Sequence, residues 1–367
     1  MPVEKKKLLI IGKLPPPYMG PSVAFEILIR SELKEQFDLR YLDIKANETL
    51  DTLGKFSFSK IRKNISVYKK FSEMLSAFRP DIVLIPISQT TLGFLKDAVF
   101  IWLCKRQAIK SVIQLRGSNF RKWIESSSFP VRKFVAHILK MPEGVIVLGN
   151  KLKYLFENYF SDDRIFVVPN GADYPVVAKN NGSNEKTTFV YLANLQSSKG
   201  IRDVLQAAKL LAQQQLPFRL FVAGQWRDEA TRIFCEKLVS ENQLPVTFFP
   251  PLKGKEKFDY LASGDVFVFT PREPEGHPWV IIEAMSAGLP VISTDQGAIT
   301  ESVSDGLNGF IVPAGSPESI ALKMAELITD QGKRVRMGEM SRKFYEDRFT
   351  ESRMVANMAR VLSDLAG

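Results

Sequence analysis

The sequence predicts an α/β protein made of two successive doubly wound units, each a parallel sheet with helices on both faces. Three observations carry this expectation. Short apolar runs alternate with stretches of helical spacing along the whole chain, and strands alternating with helices imply parallel sheets covered on both sides. The alternation is interrupted at Lys179–Lys186, KNNGSNEK, a stretch without an apolar residue that reads as a loop or linker. The length of 367 residues, with 45% of them apolar, is enough for two cores of ordinary size.

The elements follow in order. LLIIG is the first strand, and the loop KLPPPYMGPSVAFE comes after it. Three prolines stiffen that loop, Gly20 lets the backbone approach a ligand closely, and Ser22 is placed to cap the helical pattern Ala24–Leu33. FDLRYLD is the second strand. In the next helical stretch Ile61, Ile65, Tyr68, Phe71, Leu75 and Phe78 recur near i, i+4, i+7. DIVLIPI, SVIQLRG, GVIVLG and RIFVVPNG complete the first set of strands. After the polar stretch, TTFVYLAN, FRLFVAG, PVTFFP, DVFVFTP, LPVIST and GFIVP form the second set, again with helical patterns between them.

Composition narrows the functional classes. Up to Asn170 there are 28 Lys and Arg against 16 Asp and Glu, a balance of +12; the remainder carries −2, which together give the net charge of +10. A basic first half either serves solubility or draws anionic surfaces: phospholipid headgroups, a diphosphate-linked acceptor or nucleic acid. No nucleic-acid motif accompanies the charge, so no nucleic-acid partner is expected. Cys104 and Cys235 lie apart in apolar or helical patterns and read as buried free thiols of a reducing compartment. The apolar run before Lys13 is too short for a signal-peptide core. Ala98–Cys104 falls far below the roughly 20 residues of a spanning helix. A soluble cytoplasmic protein able to touch a membrane surface is expected. The first strand is not followed by G-x-G-x-x-G, which argues against a nicotinamide enzyme. There is no D-x-D pair and no Cys/His cluster with metal spacing, so neither a metal nor a cofactor is expected.

Open parallel sheets bind ligands beyond the carboxyl ends of their strands. The richest such stretch is Asp265–Pro313, DVFVFTPREPEGHPWVIIEAMSAGLPVISTDQGAITESVSDGLNGFIVP. Glu275 sits in a Gly/Pro-containing loop after a strand, and Glu283, eight positions on, lies in the next helical pattern on the side facing that loop. Amides near a helix start can take phosphate oxygens, and carboxylates accept sugar hydroxyls. The arrangement suits a polyhydroxylated anionic ligand.

This stretch, with GLPVIST and GFIVP after it, closely resembles the E-x7-E signature of retaining, nucleotide-sugar-dependent glycosyltransferases of the large family 4. The resemblance implies the GT-B fold: two Rossmann-like domains facing across a cleft, residues 1–172 binding the acceptor and 173–349 the donor, with 350–367 crossing back to the first. It implies that Glu275 bonds donor sugar hydroxyls and stabilises positive charge at the anomeric carbon. Glu283 would accept both ribose hydroxyls, and the amides of Gly276 and His277 would face sugar or phosphate, with the His277 ring reading a sugar hydroxyl. YLANLQSSKGIRDVLQAA resembles the family element whose Arg and Lys neutralise the donor diphosphate. Lys199 matches the lysine; Asn194 stands where the arginine is usual, so the second charge would come from Arg116 or Arg272. FVAGQW, with Gly224, and VTFFPPLKG, with Pro251 and Leu252, resemble the loops bordering the nucleotide base. The loop holding Gly20 resembles the family's glycine-rich first loop, with Pro21 in place of its second glycine. Arg116 stands where many members carry a histidine. It cannot accept a proton at neutral pH, so it would hold phosphate or a leaving oxygen as a fixed charge.

The expected activity is transfer of a sugar from a nucleotide-diphosphate sugar to a hydroxyl of a glycan or lipid-linked glycan, as in bacterial capsule, exopolysaccharide or O-antigen assembly. Acceptor choice would belong to the basic first domain. There Phe56, Phe58, Lys60–Lys70 and Phe120–Trp123 mix aromatics with cations and make an anionic membrane surface a further partner. The rival expectation is a catalytically silent nucleotide-sugar-binding module, favoured by Asn194 and Arg116.

Overall fold

A computed structural model describes residues 5–16, 18–44, 58–175 and 186–367, with the backbone alone for 58–64. Phe56 and residues 179–185 of the polar stretch lie outside the described residues, as do the side chains of Phe58, Lys60, Arg62 and Lys63. The chain divides into two compact units, Met1–Ala172 with Glu351–Gly367, and Asp173–Thr350.

The first unit is built on β1 (Lys6–Gly12), β2 (Phe37–Asp43), β3 (Ile82–Pro86), β4 (Lys110–Gln114), β5 (Gly144–Val147) and β6 (Ile165–Val167). They pair in parallel in the order β2-β1-β3-β4-β5-β6. Leu8, Leu9, Ile10 and Ile11 are all at most 2% exposed, so both faces of β1 are covered; such a strand reads as a continuous apolar run. One face packs Leu8, Ile10, Leu84 and Ile146 against Met354, Val355, Met358 and Leu362 of the helix Glu351–Ala366. The helix after β1 begins at Gly20, earlier than its apolar spacing suggests, with Pro21 in its first turn and Met19 as N-cap. Ser22 is therefore not the cap. It sits inside the first turn, where its hydroxyl accepts from the Met19 N–H at 3.0 Å.

The second unit carries β7 (Thr187–Leu192), β8 (Phe218–Ala223), β9 (Val246–Phe249), β10 (Val266–Phe269), β11 (Val291–Thr294) and β12 (Gly309–Val312). Their order is β12-β11-β10-β7-β8-β9, again parallel. The chain runs outward from β7 to β8 on one side and from β10 to β11 on the other. The loops leaving β7 and β10 therefore diverge to opposite faces, and a crevice opens between them. The same reversal falls between β1 and β3 in the first unit. Cys104 and Cys235 are free and buried.

Candidate functional site

The topology brings two distant loops to the crevice beyond β7 and β10. After β7 the chain passes Asn194, which is exposed, and makes a short 3-10 turn, Ser197–Lys199. Tyr191, fully buried in β7, donates its hydroxyl to the Lys199 carbonyl at 2.9 Å and ties the turn to the sheet. Gly200 follows at φ +80°, a conformation that favours glycine, and a Cβ there would sit 1.9 Å from the Thr270 carbonyl oxygen at the end of β10. The helix Ile201–Gln213 then starts with Asp203 in its first turn.

The loop after β10 is anchored to the same turn. The Arg272 N–H donates to the Ser198 carbonyl at 2.9 Å, and its guanidinium grips both oxygens of Asp203, Nε at 2.7 Å from Oδ2 and Nη2 on Oδ1. Asp203 is fully buried and Arg272 half exposed. This fork-to-fork geometry is the strong form of a carboxylate contact. Further along, Lys199 Nζ donates to Glu275 Oε1. Both side chains are largely buried. Burial pushes the Glu275 carboxyl above the usual range; the Lys199 charge and hydrogen bond pull it back, and Glu273 adds a push upward. Gly297, at φ +61°, holds this loop from below: a Cβ there would lie 1.6 Å from the Glu275 carbonyl oxygen.

His277 turns its ring inward. The ring is buried against Phe349 with centroids 5.0 Å apart, and Nε2 lies 2.7 Å from Ser302 Oγ. Gly276 accepts the Ala298 N–H at 3.1 Å. The helix Trp279–Ser286 then carries Glu283, which is buried and takes a hydrogen bond from Lys257 Nζ at 2.6 Å. Lys257 lies on the helix Gly254–Ala262, just beyond Leu252, which packs partly buried against the core of this unit. Gly224 closes the turn after β8, where its N–H donates to the Phe249 carbonyl at 3.3 Å. Lys199, Arg272, Glu275 and Glu283 thus gather around one crevice and its next helix, and each is already paired.

Gly20 and Arg116 belong to the first unit. Beyond the ends of β1, β3 and β4 lies a cavity of about 750 Å³ bordered by Gly12, Ser88, Gln89, Asp97, Arg116 and Gly117. Gly20, the first residue of its helix, lies between two residues of the lining, Met19 and Pro21. Arg116 is held by neutral groups: Nε donates to Gln114 Oε1 at 3.3 Å and Nη1 to Asn170 Oδ1 at 2.7 Å. Burial pulls its guanidinium down to about 9, so it stays cationic at neutral pH. Gln114 Nε2 is buried without a partner. Asp97, also buried, accepts the Ser88 N–H at 2.6 Å, and burial pushes its carboxyl up to about 6.

Asp203, Lys257, Asp97 and Tyr191 did not emerge from the sequence. A carboxylate in the first turn of a helix after a glycine was the one available signal for Asp203. Lys257 in KEKFDY looks like any lysine on a solvated helix face.

Residues 176–344 match the family described as Glycosyl transferases group 1. The capsular polysaccharide biosynthesis glycosyltransferase CapM of Staphylococcus aureus is 28% identical over 177 residues, 46% of this chain and 43% of that protein. The chain spans about half or less of the length of the first curated relatives it matches. Among solved structures, sucrose-phosphate synthase from Thermosynechococcus elongatus superposes with a TM-score of 0.76 at 16% identity, covering 98% of this chain and 99% of that one. Anabaena Alr3699/HepE in complex with UDP and glucose gives 0.72 at 16% identity, covering 98% and 100%. These likenesses show the fold to be of the GT-B class. Over residues 176–344, nearly the whole of its second unit, the chain is similar to the glycosyl transferases group 1 family.

Proposed function

We propose that the chain is a retaining glycosyltransferase that moves a sugar from a nucleotide-diphosphate sugar to a hydroxyl of a glycan or lipid-linked glycan. The observation that carries this reading is the Lys199–Glu275 pair at the reversal point of the second sheet, with Glu283 on the helix leaving the same loop. The donor diphosphate would draw Lys199 away from Glu275. The freed carboxylate then faces the sugar, where positive charge grows at the anomeric carbon as the diphosphate departs. The acceptor hydroxyl would approach on the face the diphosphate leaves, and a departing phosphate oxygen would take its proton. Glu283 would accept the ribose hydroxyls through the oxygen that Lys257 leaves open. The cavity of the first unit, with Arg116 and Asp97, would hold the acceptor. The CapM relative and the UDP-bound Anabaena structure support a nucleotide-sugar donor and a role in surface-polysaccharide assembly.

A thermal-shift screen of UDP-, GDP- and ADP-sugars followed by a transfer assay tests the reading. With Lys199 as the diphosphate's counter-charge, activity should survive EDTA; rescue of a chelator-killed enzyme by Mg²⁺ or Mn²⁺ overturns the metal-independent form. A silent nucleotide-sugar-binding module is the second reading, favoured by the uncharged Asn194 at its exposed position. Donor binding without turnover against any glycan acceptor would decide for it.

A further inference from the structure

The helix Thr91–Arg106 is apolar on two faces. Its inner face is ordinary: Phe94, Ala98, Ile101 and Cys104 are at most 3% exposed. Its outer face carries Leu92, Leu95, Val99 and Trp102, spaced i, i+3, i+7, i+10 so that they form one stripe. Leu92 is 60% exposed, Leu95 44% and Trp102 45%. A surface helix normally presents polar residues there. The neighbouring helix Phe129–Ile138 adds Phe129, 61% exposed, and Phe134, 37% exposed. Phe134 meets Phe94 edge-on at 6.5 Å and ties the two helices together.

Cations frame the stripe. The helices Thr91–Arg106, Phe120–Ser126 and Phe129–Ile138 carry Lys96, Lys105, Arg106, Arg121, Lys122, Arg132 and Lys133, all exposed. Arg106 stacks over Trp102 at 5.3 Å and Lys133 over Phe129 at 4.7 Å. The acids on these helices are Asp97, which is buried, and Glu125, which pairs with Arg121 at 2.9 Å.

We propose that this face docks on an anionic phospholipid membrane. Leu92, Leu95, Trp102 and Phe129 would enter the interfacial layer, where tryptophan is favoured, and the surrounding lysines and arginines would meet the headgroups. Charge complementarity selects this occupant over a second copy of the chain, which would bring the same excess of cations to the same face. No helix among the described residues is long and apolar enough to cross a membrane, so the contact lies on the surface. The helix Phe58–Phe78, the first expectation from sequence, is less suited: its Phe71, Leu75 and Phe78 are buried in the first unit. The proposal holds or fails independently of the transfer reading.

The test is co-sedimentation of the full chain with phosphatidylglycerol vesicles, with phosphatidylcholine vesicles as the neutral arm. Wild type should pellet with the anionic vesicles at low salt and be released at high salt. Each single reversal among Lys105→Glu, Lys122→Glu and Lys133→Glu should weaken binding about fivefold or more. Leu95→Glu with Trp102→Glu should abolish it. Should that double variant fail to fold, brominated lipid keeps the question open to measurement: it should quench the emission of wild type and spare most of that loss in Trp102→Phe. Wild type that stays in the supernatant with anionic vesicles overturns the proposal, as does a folded double variant that pellets equally. A Trp102-dependent dimer without vesicle binding overturns it in favour of self-association.

Discussion

The two sheets reverse direction in the same way, yet the chemistry beyond their strands is opposite in kind. At the second sheet the three cations described above are each matched by a carboxylate: Lys199 with Glu275, Arg272 with Asp203, Lys257 with Glu283. At the first, Arg116 rests on two neutral amide oxygens, and burial delays the ionisation of Asp97 to about pH 6. Matched pairs keep their loops ordered until a ligand takes over one partner, which suits a part of the ligand that stays constant, such as a nucleotide diphosphate. An unmatched charge beside a cavity leaves the complement to be supplied by the ligand, which suits an acceptor that differs from one enzyme to the next.

The contrast is open to direct attack, beginning with stability. Arg272→Ala strands the fully buried Asp203, and removing one member of a buried pair costs about 3–5 kcal/mol. Arg116→Ala leaves no buried charge behind but takes a donor from Gln114 and Asn170, and should cost less, about 1–3 kcal/mol. Urea unfolding of both variants checks this; equal losses would erase the distinction between the two sites. Glu275→Gln should lower transfer about 100- to 1,000-fold, the scale of a lost electrostatic contact to a charged transition state. Nucleoside diphosphate binding by calorimetry should stay near wild type, because Lys199 is then free for phosphate. A glutamine variant with normal turnover would show that the pair is only structural.

Asp97 supplies the pH arm. Its folded-state value of about 6 exceeds the ordinary 3.8, so the folded protein holds that proton more tightly than the unfolded chain does. Stability should therefore fall as pH rises from about 4 to about 6 and level off above, by of order 3 kcal/mol in total. Asp97→Asn should remove that slope, be at least as stable as wild type at pH 7, and converge with it near pH 4. Unfolding curves across that window that run parallel for the two proteins would contradict the assignment. The smallest effect belongs to Glu283→Ala, which should weaken nucleoside diphosphate binding about 10- to 150-fold, the loss of a charged hydrogen-bond partner. Unchanged affinity in a folded variant would remove Glu283 from the ribose.

The strands were legible because parallel sheets bury both faces: LLIIG and FVYL can be little else. The E-x7-E stretch was legible because glycine, proline and two acids fall at a strand-to-helix junction. What stayed hidden was pairing. Nothing in LLIIG says that β1 lies between β2 and β3, since strand order is settled by helices packing on both faces rather than by the strand itself. Lys257 looks like a surface charge until the fold brings its helix to that of Glu283. The His277 ring was expected to read a sugar hydroxyl, yet it is engaged by Ser302 and Phe349, residues far along the chain. Even Arg272, expected as a phosphate ligand, has its guanidinium committed to a carboxylate one strand away.

The helix Glu351–Ala366 sets an order of assembly. It covers Leu8, Ile10, Leu84 and Ile146, yet the ribosome makes it after all of the second unit. The unit translated first is thus the one completed last, and until then part of one face of its sheet stands open to aggregation or chaperones. A nascent chain stopped before Glu351 could offer a folded second unit beside an uncovered first one, so a truncation far in sequence from Arg116 would be felt at its cavity.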